Sequence, residues 1–164
     1  MKSRRRNIHL VLSALLLLGM GALAAANTPR AKSGDFQQKE EVKQAIVDMV
    51  NAIDKKEWKA AVSAFDKEVF ADYSSLTGQP GGKVKATELV GGWEKVLANV
   101  KTHHMLSNFD VSIKDGNAEV WSHVYGSHVS ETAGYWDAIG RYHHKLRLMD
   151  GAWKIVEMTL IMHG

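Results

Sequence analysis

Cysteine is absent from the 164 residues. That removes disulfides, thiolate metal sites, thiol nucleophiles and cysteine-linked lipid anchors from consideration. A phosphate-binding loop is missing too, because the stretch holding Gly78, Pro80, Gly81 and Gly82 is not followed by a G-x-x-x-x-G-K-[ST] pattern. Eight histidines are present, yet none shows the H-x-H or H-E-x-x-H spacing of a zinc site, so no metal is expected. Internal repeats are also lacking, and there is no basic stripe of the kind that binds nucleic acid. The formal charge of +3 is misleading. Setting aside Lys2, Arg4, Arg5 and Arg6 takes it to −1.

Those four cations belong to an N-terminal segment with the layout of a secretory signal. Basic residues 1–6 precede an apolar run from Ile8 to Leu23, and Ala24-Ala25-Ala26 supplies an A-x-A cleavage site before Asn27. The apolar run is short for a membrane span, so residues 1–26 are expected to be cleaved, with no membrane attachment afterwards. The predicted location is the bacterial periplasm or the outside of the cell. Ser3-Arg4-Arg5 touches on a twin-arginine motif, but Asn7 departs from it, and the export route stays open. Residues 27–38 read as a flexible polar linker. Residues 39–164 read as one domain, long enough to bury a core.

Helical spacing opens the domain. Val42, Ile46, Met49, Val50 and Ile53 fall on one face, with Asp54 at its edge. That acid either ends the helix in solvent or aims a carboxylate under the apolar face. A second helix is predicted from Glu57 to Phe65, and a short strand from Val69 to Ser75. After the glycine-rich loop, Thr87 is placed to cap a third helix carrying Leu89, Val90, Trp93, Val96 and Leu97. From Lys101 onward the chain reads as four antiparallel strands. Asp115-Gly116 centres one hairpin, and Asp150-Gly151 turns the chain before the last strand. Early helices and late strands predict an α+β fold, with three helices on one face of a curved, mainly antiparallel sheet. Such a cone leaves room for a small ligand.

Strand parity then sorts the histidines. Only one of His103 and His104 can point inward, and His128 faces away from His123; His104 and His128 are the inward candidates. Two imidazoles in one pocket would be acid–base equipment, since histidine titrates nearest neutrality. The alternative is four half-exposed histidines.

Several motifs together resemble the SnoaL-like branch of the nuclear-transport-factor-2-like (NTF2-like, cystatin-like) superfamily. The nearest match is to scytalone dehydratase-type lyases. Asp54-Lys55-Lys56-Glu57-Trp58 resembles their D-x-K-[DE]-W segment, and Asp72-Tyr73-Ser74-Ser75 their D-Y-R-S segment. Thr102-His103-His104 resembles T-Q-H, His128 matches a second histidine across one gap, and Asp150-Gly151-Ala152-Trp153-Lys154 resembles a widespread D-G-x-W-K turn. The resemblance implies the cone fold and a cofactor-independent site in which His104 takes a proton α to a carbonyl. His128, partnered by Asp54, would help a hydroxyl leave, and Tyr73 would polarise the carbonyl through a water. This chain also departs from the pattern. Ile53 stands where the family has a second tyrosine, and Gly140 and Tyr142 replace a serine and an asparagine that touch substrate.

The expected function is therefore an exported dehydratase-type lyase, or an isomerase, acting on a small apolar carbonyl compound. A secreted module that binds a small apolar ligand without chemistry is the alternative. Trp121, His123 and Tyr125 share the face opposite His128, which is either a homodimer interface or a surface covered by helices.

Overall fold

The apolar stripe Val42, Ile46, Met49, Val50 and Ile53 is buried, each residue at most 6% exposed, as its spacing requires. It forms the inner face of helix α1 (Ser33–Asp54) in a computed structural model that describes residues 33–163. Burying each such side chain stabilises the fold by about 1.5–3 kcal/mol. The signal segment lies outside the described residues. Within the expected linker, 33–38 differ from the sequence reading, because they already form the first turns of α1.

Helix α2 (Trp58–Ser63) is shorter than expected, and Phe65 belongs instead to strand β1 (Phe65–Asp72). Tertiary pairing explains the change: the Ile155 N–H donates to the Ala64 carbonyl at 2.9 Å, and β1 then runs parallel to the last strand. After β1 the chain leaves the sheet. The Ser74 N–H donates to the Asp72 carboxylate at 2.8 Å, which starts a single turn, α3 (Ser74–Thr77), where strand was expected. The glycine-rich loop ends in an unforeseen strand, β2 (Gly82–Lys85), paired antiparallel with β1. Helix α4 (Ala86–Leu97) follows, and Lys85 rather than Thr87 occupies its N-cap position, without a side-chain cap.

The four long strands form as expected: β3 (Lys101–Lys114), β4 (Asn117–Ser130), β5 (Gly134–Met149) and β6 (Ala152–Met162). The turns Asp115-Gly116 and Asp150-Gly151 have positive φ at both residues, the backbone of a two-residue hairpin. Spatial order in the open sheet is β2-β1-β6-β5-β4-β3; only β1 and β6 are parallel. A register shift in β3 between Ser107 and Asp110, and another between β5 and β6 at Lys145 and Leu146, bend the sheet. Helix α1 packs on β3 and β6, and α4 packs on β1 and α2.

One core residue is chemically unusual. His144 is 0% exposed, and among the described residues neither ring nitrogen has a hydrogen-bond partner. It faces Val120 and Met158 across the strands and lies 5.0 Å, ring to ring, from Tyr142. Burial, with a smaller contribution from His143, pushes its pKa down to about 3, so the ring is neutral at pH 7. An unfolded histidine takes up its proton near pH 6.5, so the folded state loses stability as pH falls from there toward 3. His144→Leu removes that proton linkage. Urea unfolding from pH 7 to pH 4 is expected to show a shallower loss of stability in the variant than in the parent; parallel curves would contradict it.

Candidate active site

Asp54 closes α1, and its carboxylate is held at three points by β3. Oδ1 lies 2.7 Å from His104 Nδ1 and accepts the Thr102 hydroxyl at 2.8 Å, while Oδ2 accepts the His104 backbone N–H at 2.8 Å. The two side chains are 15% and 10% exposed. Burial alone would raise the Asp54 pKa. The His104 ring, the His104 backbone N–H and the Thr102 hydroxyl outweigh it and hold the group at about 2. Asp54 is thus an anion at neutral pH. An anionic acceptor on Nδ1 requires the proton there, which makes Nε2 the ring nitrogen of His104 available to act as a base.

Parity works as the sequence implied. Thr102 and His104 alternate inward on β3, whereas His103 points outward. Across the hairpin His104 faces Gly126, and Thr102 faces His128. The two imidazoles stand edge to face with centroids 5.6 Å apart. A Cβ on Gly126 would lie 3.0 Å from His104 Cδ2 and 3.3 Å from His128 Cε1, so a side chain there would press on both rings. His128 also stacks on its β5 partner Trp136, at 4.9 Å and 7°. Burial first, and then the neighbouring His104, lower the His128 pKa, so the His128 ring is neutral at pH 7.

Both rings face a cavity of about 580 Å³ between the sheet and helices α1 and α4. Val50, Ile53, Leu89, Trp93 and Met158 supply much of its apolar wall. Tyr73 and Tyr142 line the same space. Burial raises the pKa of both, Tyr142 to about 12 and Tyr73 well above the ordinary value, so each keeps its proton and can donate it. The Tyr73 hydroxyl lies 3.4 Å from the Met158 sulfur. Glu88, Thr77 and Asp137 complete the polar share of the lining.

Of the expected residues, Ile53, Tyr73, His104, His128 and Tyr142 therefore share the cavity, with Asp54 behind His104. Two expectations are corrected. The carboxylate of Asp54 binds the ring of His104 rather than that of His128, since the T-H-H segment of β3 is the strand beside the end of α1. Gly140 does not line this cavity: a Cβ there would collide with the Ile161 carbonyl oxygen, so the glycine serves close approach of β6. Trp136 and Gly126 went unrecognised in the sequence. Their roles depend on cross-strand register, which a single strand pattern does not contain. Among the described residues, no group of three or more histidine, aspartate or glutamate side chains is placed to hold a metal.

Helices on one face of a bent, open sheet, enclosing an apolar cavity with an acid–histidine pair in its wall, define the cone-shaped α+β class. The chain belongs to the SnoaL-like domain family, which matches residues 35–159. Its structure resembles the Kfla4162 protein of Kribbella flavida, with TM-score 0.74 and 18% identity over 79% of this chain and 94% of that one. It also resembles a candidate scytalone dehydratase from Novosphingobium aromaticivorans, at TM-score 0.71 and 16% identity over 79% and 87% of the two chains. A candidate aromatic-ring hydroxylase from the same organism gives TM-score 0.72 and 20% identity, covering 79% of this chain and 91% of that one. These likenesses establish the NTF2-like fold. No curated protein sequence matches the chain.

The depressed Asp54 pKa carries a stability signature. A carboxyl that titrates near 3.8 when unfolded and near 2 when folded contributes about 2 kcal/mol above pH 5, lost as pH falls toward 2. Asp54→Asn is expected to be less stable than the parent at pH 7, with the gap closing between pH 4 and pH 2. A gap independent of pH in chemical denaturation would show that the carboxylate is not ionically held.

Proposed function

We propose that this protein is an exported, cofactor-independent lyase of the dehydratase type, or an isomerase using the same base, acting on a small apolar carbonyl compound. The observation that supports this reading above all is the 2.7 Å contact between Asp54 and His104 Nδ1. It leaves Nε2 as the ring nitrogen available beside an apolar cavity. In the proposed reaction His104 Nε2 takes the proton α to the carbonyl. The electrons of that C–H bond form an enolate, whose oxygen accepts a hydrogen bond from a cavity tyrosine, Tyr73 or Tyr142. Collapse of the enolate expels the β-hydroxyl, which leaves as water with the proton that His104 had taken. His128, neutral and edge-on to His104, offers its ring N–H to the departing oxygen. In an isomerisation the same proton returns to a different carbon. The fold likeness to a candidate scytalone dehydratase is consistent with this chemistry.

A positioned general base is worth about 10²–10⁴-fold. With a panel of small β-hydroxy ketones as substrates, His104→Ala is expected to lose at least about 100-fold in turnover while keeping its far-UV circular dichroism. Undiminished turnover by the folded variant would remove His104 from the mechanism.

The second reading, a binding module without chemistry, draws on Ile53, which gives the cavity wall an alkyl group where a dehydratase-type site carries a tyrosine. Export and self-association complete the proposal. Met105, Tyr125 and Ile139 form a cross-strand row on the outer face, with Met105 51% and Ile139 47% exposed, and a second copy would cover it. Native mass spectrometry of protein recovered from a bacterial periplasm reads these points together. The expected species is a dimer of chains beginning at Asn27. A monomer would exclude the interface, and a retained 1–26 segment would exclude cleavage. A bound ligand recovered in one unchanged form favours the binding module, and a mixture of hydrated and dehydrated forms favours the lyase.

A further inference from the structure

We propose that Lys56 is the positioning residue of this site: through the Thr102 hydroxyl, its ammonium fixes the Asp54 carboxylate and thereby the His104 ring. The catalytic use of this relay rests on the lyase reading above, whereas the relay itself is a property of the resting protein. Lys56 Nζ lies 3.0 Å from Thr102 Oγ1, which lies 2.8 Å from Asp54 Oδ1, which lies 2.7 Å from His104 Nδ1. Chemistry gives the chain a single direction. An ammonium can only donate, so the Thr102 oxygen accepts from it and must turn its own proton to the carboxylate. The carboxylate can only accept, so His104 donates from Nδ1 and presents Nε2 to the cavity. No hydroxyl rotor is left free to choose.

The backbone at Lys56 supports the inference independently. Helix α1 ends in a double turn in which the Lys56 N–H donates to the Ile53 carbonyl at 3.0 Å and the Glu57 N–H to the Ala52 carbonyl at 2.8 Å. This arrangement places Lys56 at φ 62°, a left-handed position where glycine is the usual and less strained occupant. A lysine there makes the backbone worse, and its side chain is what the position gains. That side chain is not a loose surface cation. It is steered past the Trp58 ring, with Nζ 5.6 Å from the ring centroid, toward Thr102. Burial lowers its pKa and the charge of Asp54 opposes that fall, as expected for a cation serving the carboxylate.

The relay is tested by carbon-detected NMR titration of the Asp54 carboxyl in the mature protein, which needs no substrate. Lys56→Met and Thr102→Val are each expected to raise the Asp54 pKa from about 2 by roughly half a pH unit or more. The double variant should shift no further than the larger single change, because Lys56 acts through Thr102. Lys56→Arg, which keeps a donating cation, should restore the parent titration. Lys56→Gly should melt at or above the parent temperature and still show the raised Asp54 pKa, an outcome that a purely structural lysine would not give. An unchanged Asp54 titration in Lys56→Met or Lys56→Gly, or fully additive shifts in the double variant, would overturn the proposal. Failure of His104→Ala to lose turnover would instead sink the lyase reading and leave this relay standing.

Discussion

A carboxylate at the C-terminal end of a helix is the constraint on which the rest of this site depends. Helix C-termini carry partial negative charge, so Asp54 at the end of α1 sits where an anion is intrinsically disfavoured. Three donors from β3 reverse that preference, two from His104 and one from Thr102. Charge-assisted hydrogen bonds of this kind are about twice as strong as neutral ones. The same bonds pin α1 to β3 and fix the tautomer of His104, so one cluster joins fold to chemistry.

From that pinning the cavity follows. With α1 held against β3, the apolar face ending in Ile53 covers the concave side of the sheet, and the inward side chains of β3, β4 and β5 face it. The shared neighbour of the two imidazoles, Gly126, has no side chain to press on them. Trp136 then backs His128 as a flat surface, and burial favours the neutral form of that ring. Opposite charge beside one ring and burial around the other thus give two histidines different environments within 5.6 Å.

Several residues depart from ordinary folding rules. Lys56 adopts a left-handed backbone, Asp54 opposes the helix dipole, and His144 is buried without a hydrogen-bond partner among the described residues. Other elements follow the local rules: Asp-Gly turns, amphipathic α1, and alternating strands with a buried inner face. Natural sequences tolerate such conflicts chiefly where function needs them.

Local pattern alone determined a good deal of this protein. Periodicity of 3.6 gave α1 and α4, periodicity of 2 with Asp-Gly turns gave the β3–β4 and β5–β6 hairpins, and parity separated His104 from His103 and His128 from His123. Those features depend on neighbours within a few residues, so one strand or one helix contains them. Tertiary structure decided the rest. Phe65 reads equally well as the end of α2, and only the β6 backbone draws it into β1. Strand β2 exists because β1 offers it hydrogen bonds, and Gly140 serves an approach of β6 that no local pattern encodes. The partner of Asp54 was decided the same way. Both histidines face the cone, but only the one on β3 lies beside the end of α1, and contact across 50 residues is set by how layers pack rather than by spacing in the chain.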